Sequence, residues 1–234
     1  EKEAALGGTL NIAKLPPHKA NLQDVTDVLA LEARELGVTV KLNTEATPEM
    51  IDAEGYDEVL VAVGASPIRP RIPGADGRNV MFAADAANRE AELGKKLVII
   101  GGGEIGVEVG IHLARQGHEV MVVEMQGILS PESVPVHFRS LFEKTWEEQE
   151  GFDYVLNATC TGIYEDHVTY RGKDGAEHKL AADSVVLSVG MRAKSDEALS
   201  FYGSADRFAL IGDCQKPATV QQAMRSAFAV SHSV

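Results

Sequence analysis

Cysteine is almost missing from these 234 residues. Cys160 and Cys214 are the only two, far apart, with no CxxC and no metal-ligand spacing. That argues against a disulfide-stapled scaffold and a thiolate metal site, and it predicts two free thiols in a reducing cytoplasm. The single Trp, Trp146, lies in a stretch that reads as a polar helix, so its expected place is surface or interface packing. Basic residues are the scarce charge: 22 Lys and Arg stand against 35 Asp and Glu, a formal net charge of −13. Such a surface repels nucleic acid and anionic lipid at long range, so neither is an expected partner. No apolar run approaches the roughly 20 residues that span a bilayer, so no membrane is expected. There is no low-complexity tract and no signal-peptide pattern. An initiator Met is absent too: the chain opens Glu1-Lys2-Glu3, as if processed or cut from something longer.

What is present centres on IIGGGEIGVEVG, Ile99 to Gly110. Gly101-x-Gly103-x-x-Gly106 alone is a weak signal, but its flanks suit it. Lys96 to Ile100 is a short apolar run of the kind found in buried parallel strands. Ile105, Val109, Ile111, His112, Leu113 and Ala114 fit a packed helix ending near Gln116-Gly117. His118 to Glu124 is a second strand, ending in an acid 18 residues past Gly106. Each part has a physical task in dinucleotide binding. Gly101 permits the tight turn, Gly103 lets a pyrophosphate approach the backbone, and Gly106 lets helix pack on strand. The N–H groups around Glu104 and Ile105 bind phosphate at the helix start. Glu124 accepts hydrogen bonds from the two ribose hydroxyls. A 2′-phosphate would be repelled by Glu124, and no Lys or Arg follows before Arg139, so NAD(H) is expected over NADP(H).

The chain also repeats itself weakly. LGVTVKLNTEAT (Leu36 to Thr47) matches EGFDYVLNATCT (Glu150 to Thr161), and EVLVAVGASP (Glu58 to Pro67) matches SVVLSVGMRA (Ser184 to Ala193). Glu124 precedes Gly190 by 66 residues, and Glu1 precedes Gly64 by 63. Glu1 therefore takes the place in the first copy that Glu124 has in the second. The glycine turn of the first copy would lie about 23 residues before Glu1, by the spacing from Gly101 to Glu124. The expectation is a chain that starts partway through its first nucleotide-binding unit.

These residues resemble the two-dinucleotide-binding-domain flavoproteins, and among them the C-terminal part of the enoate reductase, 2,4-dienoyl-CoA reductase and trimethylamine dehydrogenase family. The likeness runs over essentially the whole chain. It rests on EKEAALGGTLNIAKLPP, VAVGASPIRPRIPG, VIIGGGEIGVEVGIHLARQGHEVMVVE and LIGDCQKPATVQQAMRSAFAV. It implies an FAD site: Glu1 on the FAD ribose, Gly7 and Gly8 along the cofactor, and Val63-Gly64 passing it with their backbone. Asp213 of Ile211-Gly212-Asp213 would bind the ribityl chain or pyrophosphate, with the helix from Thr219-Val220 pointing at the flavin. By the same resemblance Glu108 approaches the nicotinamide pocket; otherwise it is an exposed helix carboxylate. Two departures matter. Disulfide reductases carry a redox cysteine pair just after the Gly-Gly, where this chain has Thr9-Leu10-Asn11-Ile12, so dithiol chemistry is excluded. The family's barrel domain, with FMN and an iron–sulfur cluster, is not in these residues.

The expected architecture is α/β: two Rossmann-like three-layer nucleotide-binding units, the first incomplete at its N-terminus and discontinuous. Residues 1–93 would be a partial FAD domain, 94–191 an NAD domain, and 192–234 a return to the FAD domain. Asn21 to Leu36 reads as an amphipathic helix, Val38 to Leu42 and Val59 to Val63 as strands, Val134 to Glu150 as mostly helix, and Lys173-Asp174-Gly175 as a hairpin turn. No acid, base or nucleophile stands out, and hydride transfer between nicotinamide and flavin needs none. The expected activity is NADH-dependent reduction of FAD within a larger enoate or dienoyl-CoA reductase-like enzyme. A structural ADP-binding module and a stand-alone ferredoxin reductase-like protein remain as alternatives.

Overall fold

The structure is a computed structural model that describes residues 1–15, 19–131 and 136–232. In chain order the elements are α1 (Leu10–Ala13), α2 (Leu22–Glu35), α3 (Pro48–Glu54), β1 (Glu58–Val61), β2 (Ala65–Pro67), β3 (Val80–Phe82), α4 (Ala83–Asn88), β4 (Lys96–Ile100), α5 (Glu104–Arg115) and β5 (Glu119–Val123). There follow α6 (Val136–Glu147), β6 (Phe152–Val155), β7 (Thr159–Ile163), β8 (His167–Arg171), β9 (Glu177–Ala181), β10 (Ser184–Leu187), β11 (Met191–Ala193), α7 (Ser195–Leu199), β12 (Arg207–Leu210) and α8 (Val220–Ser231). They form two compact units. One takes Glu1–Gly8, Thr26–Pro67 and Met191–Val234; the other takes Thr9–Val25 and Ile68–Gly190.

The second unit is built on a five-stranded parallel sheet in the order β3-β10-β4-β5-β6. Its central strands are apolar on both faces because both are covered. Leu97 and Ile99 of β4 pack with α4, α5 and Trp146 of α6. Val98 and Ile100 point the other way, toward Cys160, Ile163 and Val168 of the antiparallel sheet β7-β8-β9. The alternation follows the two-residue period of a strand, and burial on both sides explains the unbroken apolar run. Each such fully buried side chain contributes about 1.5–3 kcal/mol. The turn expected at Lys173-Asp174-Gly175 joins β8 to β9, where the Gly172 N–H donates to Ala176 O at 3.0 Å. It belongs to a three-stranded sheet, a larger feature than the hairpin expected.

The first unit holds the parallel pair β1-β12 over a small core of Val59, Val61, Ala198, Phe201 and Cys214. Its second pair is antiparallel: β2 and β11 run Ala65 against Ala193 and Pro67 against Met191. These are the two three-residue stretches that follow the repeated Val-Gly.

Two expectations need correction. Val38 to Leu42 is not a strand. Its neighbourhood meets Glu1–Glu3 through isolated hydrogen bonds, Glu1 N to Lys41 O at 3.0 Å and Asn43 N to Glu3 O at 3.0 Å, which do not build a ladder, and Val38 is exposed. Trp146 is not a surface residue: it is 4 % exposed, edge-on to Phe142 at 4.9 Å, inside the core of the second unit. The polar residues around it lie on other faces of α6, and one buried position is invisible in a composition. Of the helix expected over 134–150, residues 134 and 135 lie outside the described residues, and α6 covers Val136–Glu147. Among the described residues no helix is long and apolar enough to cross a membrane.

Packing of α5 on the sheet is tight at Gly110. A Cβ there would lie 2.6 Å from Phe152 Cε2 and 3.1 Å from Ile99 Cδ1. Replacing a helical Gly gains about 0.5–1 kcal/mol of backbone entropy, but overpacking costs about 1–3 kcal/mol, so the second effect wins. Gly110→Val is expected to destabilise the protein by about 1–3 kcal/mol, read from urea unfolding followed by circular dichroism; an unchanged or raised midpoint would contradict this packing.

Candidate functional site

The sheet order reverses at β4: the chain runs outward through β5 and β6, then returns to the other side of β4 as β10. Such a switch point leaves a crevice at the carboxyl end of the strands. The glycine turn sits there. Gly101 has φ +104°, and a Cβ on it would lie 2.3 Å from Ser188 O, just past β10. Both conformation and space demand glycine. A Cβ on Gly106 would meet Gly101 O at 2.1 Å, so the first turn of α5 packs directly on the turn. Gly103 differs. Its φ is −67°, and nothing lies within 4 Å of a Cβ built on it. Neither the backbone nor the protein's own packing requires glycine there; the open space is what a close external group would use. Gly103 is also the N-cap of α5 and has no side chain to cap it. The first-turn N–H groups, at Glu104 and Ile105, have no intrahelical acceptor by helix geometry and face the crevice end of the sheet.

Glu124 follows β5 and is 5 % exposed. Its Oε2 accepts from the Gly102 N–H at 2.5 Å and its Oε1 from the Gln126 N–H at 2.7 Å. A carboxylate has about four acceptor positions, so roughly one on each oxygen remains, which suits a vicinal diol. The loop after Glu124 turns back over the glycine turn: the Ser130 N–H donates to Gly102 O at 2.7 Å, and a Cβ on Gly102 would lie 2.4 Å from Leu129 Cδ2. Gly190, with φ +101°, follows β10, and its carbonyl accepts from the Ile68 N–H at 3.0 Å.

Glu108 is buried on α5, not an exposed carboxylate, and binds Lys19 with Nζ to Oε1 at 2.6 Å; Lys19 also reaches Glu104 at 3.3 Å. Burial by itself lowers the Lys19 pKa. The hydrogen bond and charge of Glu108, with Glu104 behind, outweigh it, and the ammonium is held above its ordinary value. A raised pKa contributes stability below the unfolded value and loses it as pH rises through the folded one. The contribution of the lysine is therefore fully present at neutral pH and is lost as pH rises above about 10.5.

The flavin-side candidates Glu1, Gly7, Gly8, Val63, Gly64, Gly212, Asp213, Thr219 and Val220 all fall in the first unit, whereas Gly101–Glu124 and Gly190 fall in the second. Glu1 Oε1 accepts from the Glu3 N–H at 2.9 Å. Gly7, Gly8 and Gly64 have φ of +118°, +50° and +75°. Glu1 and Val63 line a cavity of about 370 Å³ together with β1, Lys194, Glu197 and Phe201. Asp213 Oδ1 accepts from the Ala218 N–H at 3.3 Å, while the cap of α8 is Thr219, which forms a reciprocal capping box with Gln222. The two thiols are buried and free. Burial pushes the Cys160 thiol up, away from thiolate, and Cys214 Sγ donates to Val61 O and Ile211 O.

A glycine turn at the switch point of a parallel sheet and a buried strand-end acid define a nucleotide-binding α/β fold. The sequence pattern of the Pyridine nucleotide-disulphide oxidoreductase family matches residues 21–227, and the chain belongs to that family. It is 33 % identical to the bilirubin reductase of Mediterraneibacter gnavus over 97 % of this chain and 35 % of that one. It is 31 % identical to the NADH oxidase of Thermoanaerobacter brockii over 100 % of this chain and 36 % of that one. A solved 2-naphthoyl-CoA reductase complex superposes with a TM-score of 0.91 and 28 % identity, over 97 % of this chain and 34 % of that one. The likeness to the C-terminal region of the enoate reductase family therefore holds, and the chain spans about a third of the length of these relatives.

The sequence did not mark Gly102, Leu129, Ser130 or Lys19. A run of three glycines where the motif uses two was the available sign for Gly102; Lys19 lies 85 residues from Glu104 and carries none. Two outcomes follow. Gly103→Ala should leave unfolding within about 1 kcal/mol of the parent, as a small N-cap change does, yet weaken nucleotide binding; Gly106→Ala should lose both. Melting and calorimetry on the pair check this, and equal stability losses would refute the distinction. Lys19→Met should cost about 1–3 kcal/mol at pH 7.5 by removing the ammonium that the buried Glu108 accepts from at 2.6 Å, measured by urea unfolding; no loss would show the pair to be idle.

Proposed function

We propose that this chain is the cofactor-handling part of a longer, cytoplasmic NADH-dependent flavoprotein reductase. The second unit holds NADH at Gly101, Gly103, Glu104, Ile105, Gly106, Glu108, Glu124 and Gly190. The first unit holds FAD at Glu1, Gly7, Gly8, Val63, Gly64, Gly212, Asp213, Thr219 and Val220. When bound, the two cofactors would supply the hydride chemistry themselves. The chain's residues bind, orient and exclude water. Glu124 receives the adenine ribose hydroxyls, the N–H groups at the start of α5 meet the pyrophosphate, and Gly103 leaves it room.

The observation that carries this reading is the pairing of Gly103 with Glu124. One is a glycine that the protein's own structure does not require. The other is a buried carboxylate with acceptor capacity left on both oxygens. The name of the NADH oxidase relative supports the choice of donor. The names of the bilirubin reductase and 2-naphthoyl-CoA reductase relatives support an organic acceptor. Since the chain spans about a third of those proteins, the reading places acceptor reduction in the remainder of the polypeptide, a barrel domain carrying FMN and an iron–sulfur cluster and acting on an enoate or dienoyl-CoA-like acceptor.

Glu124 should set the nucleotide preference. Calorimetry is expected to show NADH binding tighter than NADPH. Glu124→Ala should weaken NADH about tenfold or more, the loss of a charge-assisted pair of hydrogen bonds, and Glu124→Arg should favour NADPH. Tighter binding of NADPH by the unmodified chain would sink the assignment.

A further inference from the structure

Arg139 lies 15 residues beyond Glu124 and is the first Lys or Arg after it. In a site that took a 2′-phosphate this cation would be the natural partner. The structure commits it elsewhere. From α6 its Nη2 donates to Leu129 O at 2.6 Å, its Nη1 donates to Ser130 O, and its Nε donates to Glu143 Oε1 at 2.6 Å. The guanidinium lies over the buried ring of Trp146, 5.4 Å from its centroid. Each nitrogen of the guanidinium donates once, and the geometry is one that only a planar, multiply donating cation supplies.

The two carbonyls belong to the loop that closes on the glycine turn. Leu129 and Ser130 are 2 % and 1 % exposed, and Ser130 sits at φ +45°, a strained conformation for a residue with a side chain. The Ser130 N–H holds Gly102 O at 2.7 Å, and the Gly102 N–H holds Glu124 Oε2 at 2.5 Å. Contacts thus run without a break from Trp146 through Arg139, the loop and the turn to the ribose acid.

We infer that Arg139 is a positioning residue for nucleotide selectivity. By gripping Leu129 O and Ser130 O it fixes the loop in its strained form and so aims Glu124, while the same grip withholds the nearest following cation from a 2′-phosphate. This rests on the assignment of Glu124 to the adenine ribose. Loss of the grip lets the carboxylate turn. NADH, which depends on its aim, suffers; NADPH, which it repels, suffers less or gains.

The test is calorimetric binding of NADH and of NADPH to the 234-residue chain and to Arg139→Gln and Arg139→Lys. The NADH-to-NADPH affinity ratio should fall about tenfold in Arg139→Gln, the scale of one charge-assisted hydrogen bond. Arg139→Lys keeps the charge but not the fork, so its ratio should fall by a smaller factor. The fluorescence of Trp146, the only Trp, should change in both variants. A merely structural role would weaken both nucleotides in proportion and leave the ratio where it is, and that result, in whichever variants fold, overturns the inference. An unmodified chain that prefers NADPH overturns the assignment of Glu124 instead, and this inference with it.

Discussion

The hydrogen bond from the Gly102 N–H to Glu124 Oε2, at 2.5 Å, ties the turn after β4 to the acid after β5. A buried carboxylate is costly unless it is well partnered. Here its partners are backbone N–H groups, Gly102 and Gln126, rather than a guanidinium or ammonium. The difference matters. Amide donors stabilise the anion without cancelling its charge, whereas an ion pair would have spent that charge inside the protein. A carboxylate held this way still repels a phosphate and still accepts from hydroxyls. The selectivity of the site, as we read it, depends on that choice of partner.

The rigidity needed to hold such a bond comes from the sheet beneath it. β4 is apolar on both faces because helices cover one and the β7-β8-β9 sheet covers the other. With Ile99 and Val98 essentially inaccessible, the end of β4 has little freedom, and Gly101 leaves it at an angle that only glycine takes readily. Ser188, just past β10, presses on the same turn: its carbonyl lies 2.3 Å from where a Gly101 Cβ would be, and its Oγ 3.2 Å from where a Gly106 Cβ would be. The turn is therefore shaped by two strands far apart in sequence, although its motif is local.

That division explains what could be read from the sequence. The β4–turn–α5–β5 path was legible because each step has its own period and its own punctuation. Val38 to Leu42 misled because β-branched residues mark a propensity, while a strand also needs a neighbour in register. Trp146 misled because a mean polarity over a helix hides one buried position. Lys19 and Arg139 were illegible as members of the site: the first acts across 85 residues and the second through carbonyl oxygens, and a sequence does not write where a carbonyl points.

The two long helices that follow a strand–glycine turn, α5 and α8, begin differently, and the contrast bears on how each unit meets an anion. α5 starts at Gly103, which offers no side chain to its first-turn N–H groups, so those donors stay open toward the crevice. α8 starts at Thr219, whose hydroxyl accepts from Gln222 N at 3.4 Å while Gln222 Oε1 accepts from Thr219 N at 3.2 Å. A capping box of this kind satisfies two of the donors that a phosphate would otherwise take. An anion at α8 would therefore meet fewer free N–H groups than one at α5, and must compete with a neutral cap already in place. Helix termini with the same dipole are thus unequal as anion sites, and the inequality is set by a single residue at each N-cap: glycine where the donors stay open, threonine where the helix closes on itself.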